Sequence, residues 1–355
     1  MSVIDRLQRL TGEGTAGEGA GREAVSALRA RVEAILSRRP EKRSGPGPGA
    51  GGVRGAPLED WVEGAETANA AGVFFCAHRQ AGGSSRHGAR CIRDWTPLDM
   101  DRLAVLAGDP DLRRLRADQG LFLDTETTGL SGGSGTVPFL IGLGWFEGGG
   151  FATRQLFARD YGEERAALVH LRELASDRRF LVTFNGKAFD VNLLAARFIM
   201  NRLPDPLTGL PHADLLHPAR RLLAHRLADR RLGALETAVL GLEREGDIPG
   251  SEIPGRYFDW LRRRDGRLMA GVFEHNRLDI LSLAALAAHL TGMIAPEGGA
   301  DAGLPDDRLA AARLLLARGR CEEAVRILVP LASCDRRDIA REAARALSLF
   351  YKRTD

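Results

Sequence analysis

Asp124 and Glu126 stand two residues apart in "LFLDTETTGLSGG", residues 121 to 133, at the end of an apolar run. In a strand, residues i and i+2 share a face, so these carboxylates are expected side by side with little water between them. Like charges that close repel unless a cation joins them. Two further acids occupy places where burial is expected. Asp190, in "RFLVTFNGKAFDVNLL", follows a buried strand and opens a helix, where the helix dipole favours a carboxylate. A plain N-terminal helix acid is the commoner use of such a residue, but Asn185 and Gly186 supply a tight turn that brings this one beside the strand's end. Asp279, in "VFEHNRLDILSLAALAAHL", shares a helical face with His275, Ser282 and Leu286 and is flanked by Ile280 and Leu283, so it needs a partner or a metal. Four carboxylates from two strand positions and two helices can hold two divalent hard cations, and oxygen ligands suit Mg²⁺ or Mn²⁺. Two such ions roughly 4 Å apart clamp the attacking and departing oxygens of an in-line phosphoryl displacement, which points to phosphodiester hydrolysis.

The elements that must position these acids lie between Gly120 and about Thr291. "LFLDTET" and "PFLIGLGWFEGG" read as consecutive strands joined by the glycine-rich "GLSGGSGTV", and "GFATRQLFA" as a third. "EERAALVHLRELAS" reads as a helix, "FLVTF" as a buried strand, and "VNLLAARFIMNRL" as a helix ended by Pro204. Antiparallel strands first and helical crossovers afterwards predict an α/β fold, a mixed sheet with helices on its faces.

Around this region the chain divides by composition. Residues 1–52 read as a helix, "EAVSALRARVEAILSRR", followed by a Gly/Pro linker, and residues 53–119 as a small β-rich lead-in. The acid-bearing region is set at 120–294. After the Gly/Pro break "APEGGADAGLPD", residues 304–355 are helical nearly throughout, and Leu309, Leu315, Gly319, Ala324 and Leu328 resemble a tetratricopeptide unit as closely as they do a plain helical hairpin. A length of 355 residues accommodates two to three domain-sized units in all, and the tail at most one and a half tetratricopeptide units.

Composition narrows the classes. Charged residues at 27% and hydrophobic ones at 44% suit an ordinary soluble protein, no apolar run approaches a membrane span, and the first residues lack a secretory core, which makes a cytoplasmic location the expectation. Four scattered cysteines exclude a disulfide framework. The net charge of +3 permits nucleic-acid binding without requiring it.

At its acids the chain resembles the DEDD superfamily of ribonuclease H-fold 3′ to 5′ exonucleases: "DTETTG" is similar to the first motif, "FNGKAFD" to the second and "HNRLD" to the third. "FLDTETTGLSGGSGT", "VTFNGKAFD", "LPHADLLHPARRL" and "FEHNRLDILSL" together resemble the YprB-type branch, a ribonuclease H-like domain followed by tetratricopeptide-like helices. The resemblance implies a ribonuclease H-like mixed sheet flanked by helices, with Asp124, Glu126, Asp190 and Asp279 as ligands of two Mg²⁺ or Mn²⁺ ions. It implies that Thr127, Thr128 and Gly129 form the turn beneath a terminal nucleotide, that Asn185 orients the second motif, and that His275 is the general base. His275 stands four positions before Asp279, the spacing of the superfamily's tyrosine subgroup; the histidine subgroup has five. The implied activity is 3′ to 5′ exonucleolysis of single-stranded RNA or DNA, with a protein partner on the C-terminal helices. A ribonuclease H-type endonuclease and a non-catalytic adaptor retaining the fold are the alternatives.

Weaker signals accompany these. Lys187 is placed for a phosphate contact beside Asp190, or is a solvated turn lysine. Arginines at 220, 221, 226, 230 and 231 could line a nucleic-acid groove or a solvated helix face. Asp214 is expected to buttress. Cys76, His78, His87 and Cys91 could form a zinc site, although their spacing is uncommon for one and a polar hairpin tip is the simpler reading.

Overall fold

Successive side chains of the run from Gly120 to Thr127 point to opposite faces of the sheet, and the rest of the fold is built on covering both of them. The computed structural model describes residues 55–96, 98–129, 135–298, 301 and 303–354; the helix and linker expected in residues 1–52 lie outside the described residues. In chain order the elements are β1 (Ala65–Asn69), β2 (Gly72–Ala81), β3 (Arg86–His87), β4 (Arg90–Cys91), α1 (Met100–Ala107), β5 (Gly120–Thr127), β6 (Pro138–Glu147) and β7 (Gly150–Phe157). There follow α2 (Glu164–Ala175), β8 (Phe180–Thr183), α3 (Asp190–Met200), β9 (His212–Asp214), α4 (Leu216–Leu223), α5 (Leu232–Leu235) and a π-turn at Glu236–Leu240. The last elements are α6 (Ile253–Arg263), α7 (Arg267–Met293), α8 (Pro305–Ala317), α9 (Cys321–Leu331) and α10 (Arg337–Thr354).

Seven strands form one mixed sheet in the order β1-β2-β7-β6-β5-β8-β9. The hairpins from β1 to β2 and from β5 to β7 are antiparallel, whereas β8 and β9 run parallel to β5 after helical crossovers. Leu121 and Leu123 of β5 join Ile141, Leu156, Leu168 and Phe198 beneath α2 and α3. Phe122, on the opposite face, packs with Phe151, Ile280 and Leu283 under α7. An α/β sheet clothed by helices on both faces is the architecture the strand and helix order predicts.

The β-rich lead-in joins the main sheet. Its strand β2 pairs antiparallel with β7 from Phe75↔Phe157 to Ala81↔Phe151, so it extends the main sheet across the boundary drawn near residue 119. The open edge of β7 would otherwise expose unpaired backbone groups, and β2 satisfies them. At the other end, α8 and α9 meet in a hairpin at Gly319, whose φ of +73° suits a glycine. Leu309, Leu315, Ala324 and Leu328 are buried in the same core cluster as Leu290 and Met293 of α7. Asp307 ties this tail down: 1% exposed, it accepts from the Leu304 amide at 2.9 Å and pairs with His225 Nε2 at 2.9 Å and Arg226 Nε at 3.1 Å. No described helix is long and apolar enough to cross a membrane.

Candidate metal centre

Two glycines let a helix come down onto the sheet. In "FLIGLGWF", Gly142 lies opposite Asp124 of β5 on one side and Gln155 of β7 on the other. A Cβ on Gly142 would stand 2.2 Å from Asn276 Oδ1, and one on Gly144 would stand 2.5 Å from Ile280 Cγ2. Asn276 and Ile280 are four residues apart on α7, about 6 Å, and the glycines are two apart on β6, about 6.6 Å. The spacings match, and α7 rests against bare strand backbone. Asn276, fully buried, donates from Nδ2 to Asp124 Oδ2 at 2.9 Å while its Oδ1 accepts from Gln155 Nε2 at 3.0 Å. Gln155 Nε2 also donates to the Phe273 carbonyl at 2.7 Å. Asp124 is thereby fixed by a chain of partners reaching across three strands.

Asp190 arrives from the next crossover. Thr125 Oγ1, one residue along from Asp124, donates to Asp190 Oδ1 at 2.5 Å. The turn that delivers Asp190 has Asn185 in the left-handed region at φ +68°, which asparagine tolerates better than most residues. Asp214 holds that turn: its Oδ1 accepts from the Asn185 and Leu216 amides at 2.8 and 3.1 Å, and its Oδ2 from the Lys187 amide at 3.1 Å. Asp214 is a buttress, as its place in the sequence suggests.

Glu126, His275 and Asp279 each turn a ligand atom toward a common point, all within 4.8 Å of one another. His275 Nε2 lies 3.5 Å from Asp279 Oδ2, while its Nδ1 faces Asp247 at 2.8 Å. The four-residue spacing therefore puts the imidazole one turn before Asp279 on the same face of α7. Arg244 enters the same cluster, with Nη2 between Glu236 and Asp279 and Nη1 3.2 Å from Asp247 Oδ2. Asp124 and Asp190 stand outside the trio but within its electrostatic reach.

Burial raises the Asp124 carboxyl well above its ordinary range, and Asp279, Glu126 and Asp190 add to that. Glu126 is pushed up to about 8, by burial first and then by Asp279 and Asp190. Asp190 rises to about 6 through burial, with the Thr125 hydrogen bond opposing. Burial also works against the Asp247 charge, but the His275 hydrogen bond and Arg244 outweigh it and hold that carboxyl low. The first three acids are short of positive charge, and their hard oxygen donors with one imidazole suit a divalent cation.

The remaining expected residues sort as follows. Thr127 Oγ1 donates to the Gly129 carbonyl at 2.9 Å, and Thr128 Oγ1 accepts from the Val137 amide at 3.0 Å, so both hydroxyls shape the turn after β5. Thr127 also borders a cavity of about 320 Å³ with Glu126, Phe189, Gly250 and Pro254. The exposed Lys187 flanks the second motif. The arginine run divides: Arg220, Arg230 and Arg231 border a cavity of about 600 Å³ with Asn185 and Phe184, Arg221 borders a different one against α8, and Arg226 is committed to Asp307. The four residues of the zinc alternative do not gather among the described residues. His87 instead turns into the core, where Nε2 meets Ser282 Oγ at 2.8 Å and the ring packs edge-on to Trp95.

Asn276, Gly142, Gln155, Asp247, Glu236 and Arg244 escaped the sequence reading. Two signals for the first pair were present: an amide inside the third motif on an apolar helix, and paired glycines inside a strand, which mark close backbone approach. Arg244 and Asp247 come from the aperiodic stretch "EREGD" and carry no such mark.

Residues 121–291 match the RNase_H_2 family of the RNase_H superfamily. A curated relative, "Uncharacterized protein YprB" of Bacillus subtilis (strain 168), is 36% identical over 235 residues, which is 65% of this chain and 56% of that protein. The chain thus spans about half the length of the curated relative it matches. The sheet order agrees with that match: residues 121–291 have a ribonuclease H-like α/β fold, a mixed sheet flanked by helices.

Proposed function

We propose that the chain is a two-metal nuclease, a 3′ to 5′ exonuclease that hydrolyses phosphodiester bonds at single-stranded RNA or DNA ends. One observation carries the reading: carboxylates from β5, α3 and α7 converge where burial holds three of them up from their ordinary values, and at Asp124 and Glu126 the neighbouring acids add to it. Asp124, Glu126, Asp190 and Asp279 would hold Mg²⁺ or Mn²⁺, which when bound supply Lewis acidity and neutralise charge on the phosphoryl group. Asn276 and Thr125 orient Asp124 and Asp190 for that task. Asp247 accepts from His275 Nδ1–H, which leaves Nε2 as the free base on the side of the acids. A water attacking phosphorus gives its proton to Nε2 as the bond to the departing 3′ oxygen breaks. Thr127 with the cavity beside Phe189 offers room for a terminal nucleotide, and Lys187 and Asn185, in the turn before Asp190, are read as contacts for the substrate's phosphates. The C-terminal helices are read as a tetratricopeptide-like surface for a protein partner.

The test is purified chain with Mn²⁺ against end-labelled linear and circular single strands. Mononucleotide release from linear substrate only, lost in Asp124→Asn and Asp190→Asn, is the expected result. Cleavage of circles would replace the exonuclease with an endonuclease, and activity surviving either substitution would remove the proposed site.

A further inference from the structure

One side chain in the acid cluster has the wrong sign for a ligand. Arg244 is largely buried, and burial works against its charge, but Asp279 and Glu236 more than compensate and hold the guanidinium protonated. Its Nη2 bridges Glu236 Oε1 and Asp279 Oδ1, and its Nη1 leans on Asp247. Asp279 is the acid shared by the trio with Glu126 and His275, and with one oxygen toward His275 Nε2 its other oxygen is taken by Arg244. A divalent ion that needs Oδ1 must displace the guanidinium, and one that uses Oδ2 must sit a few ångströms from a fixed positive charge.

The displaced guanidinium has somewhere to go. Glu236, 1% exposed in the π-turn, keeps a second oxygen, Oε2, buried without a hydrogen-bond partner, and Asp247 faces the other guanidinium nitrogen. Such an orphaned acceptor costs stability wherever it remains unmet, and a guanidinium fork can meet both oxygens of one carboxylate. Glu236 lies outside the proposed metal ligands, so its burial beside Arg244 is accounted for by an anchoring role.

We propose that Arg244 is a built-in competitor of the metal at Asp279: it holds that carboxylate when the metal is absent, yields it on loading to pair with Glu236 and Asp247, and thereby sets the metal concentration at which the site fills. This rests on the metal-centre reading above. A structural arginine would hold the site together, so its loss would weaken metal binding; a competing arginine makes the opposite prediction.

The experiment is Mn²⁺ binding to the full chain, by calorimetry and by the electron paramagnetic signal of free Mn²⁺, for wild type, Arg244→Gln and Asp279→Asn. Arg244→Gln is expected to bind Mn²⁺ at least roughly tenfold more tightly, the removal of one charge beside a divalent ion. Unchanged or weaker binding by the folded variant overturns the proposal. Should Arg244→Gln not fold, the wild type decides: the Arg244 guanidinium ¹⁵N resonances are expected to move in step with Mg²⁺ occupancy, and resonances that stay in place as the site fills overturn it. Wild-type binding that is indifferent to Asp279→Asn would instead refute the metal centre itself, so the two failures are separable.

Discussion

Gly142→Ala places a methyl group where the structure already has an amide. The new Cβ would lie 2.2 Å from Asn276 Oδ1 and 2.8 Å from both Cγ and Nδ2, so the side chain cannot yield by a small rotation. Two hydrogen bonds go with it. The Asn276–Asp124 bond is of the kind made to a carboxylate, worth about 1.5 to 3 kcal/mol when that group is charged, and the Gln155–Asn276 bond adds about 1 kcal/mol. With the overpacking itself at about 1 to 3 kcal/mol, the expected loss is about 3.5 to 7 kcal/mol, a large share of the stability of a typical domain. Urea denaturation of wild type, Gly142→Ala, Asn276→Ala and the double variant forms a cycle. Alanine at 142 should cost far less once Asn276 has been shortened, giving a coupling of at least about 2 kcal/mol. The proposed nuclease activity should fall in both single variants because Asp124 loses its orienting partner. Additive costs, or a Gly142→Ala chain with wild-type stability, would refute the account of how α7 reaches the sheet.

Other outcomes follow from the same contacts. Glu126, ordinarily near 4.5, is held at about 8 and Asp190, ordinarily near 3.8, at about 6 in the folded chain. Both retain protons that the unfolded chain has already lost, so their contribution to stability is complete below about pH 4 and is lost as the pH rises through those folded values. In chelator, the melting temperature should therefore fall from about pH 5 to about pH 8, with the change worth on the order of a few kcal/mol, and Mn²⁺ should restore it. A melting temperature that is flat or rises over that window would contradict the uncompensated cluster. Asp307→Ala leaves His225 and Arg226 without their buried acid and the Leu304 amide without its acceptor, and should cost about 3 to 5 kcal/mol with early loss of hydrogen-exchange protection in α8 and α9. Protection that stays at the wild-type level would show that the tail is held by its apolar contacts alone.

What the sequence disclosed was what local pattern encodes. Period-two alternation at Asp124 and Glu126 and helical spacing from His275 to Asp279 depend on residues close in the chain, and each set shares a face in the structure. The Asn185–Gly186 turn was similarly readable, since few other residues accept its backbone. Pairings across long separations were not. β2 was legible as a strand, but its partner β7 begins well over sixty residues later, and nothing in "GVFFCAH" names that edge. Arg244 was hidden for a related reason: it reaches Asp279 from an irregular segment whose course is set by α5 and α6, not by any period of its own. His87, weighed as a metal ligand for its type, proved to be a core histidine because Ser282 on α7 supplies its partner, and burial holds its pKa down to about 4.

Helix α7 spans 27 residues, roughly 40 Å at the rise of an α-helix. Asn276 and Asp279 occupy its first half, and Leu290 and Met293, near its end, are buried with α8 and α9. The same rod is thus a wall of the acid cluster and a floor for the tail. A chain cut after residue 294 would carry that floor into solvent as an apolar stripe, so the nuclease-like domain released in this way would be prone to self-association. The C-terminal helices serve the fold as a lid on α7 before they serve any partner.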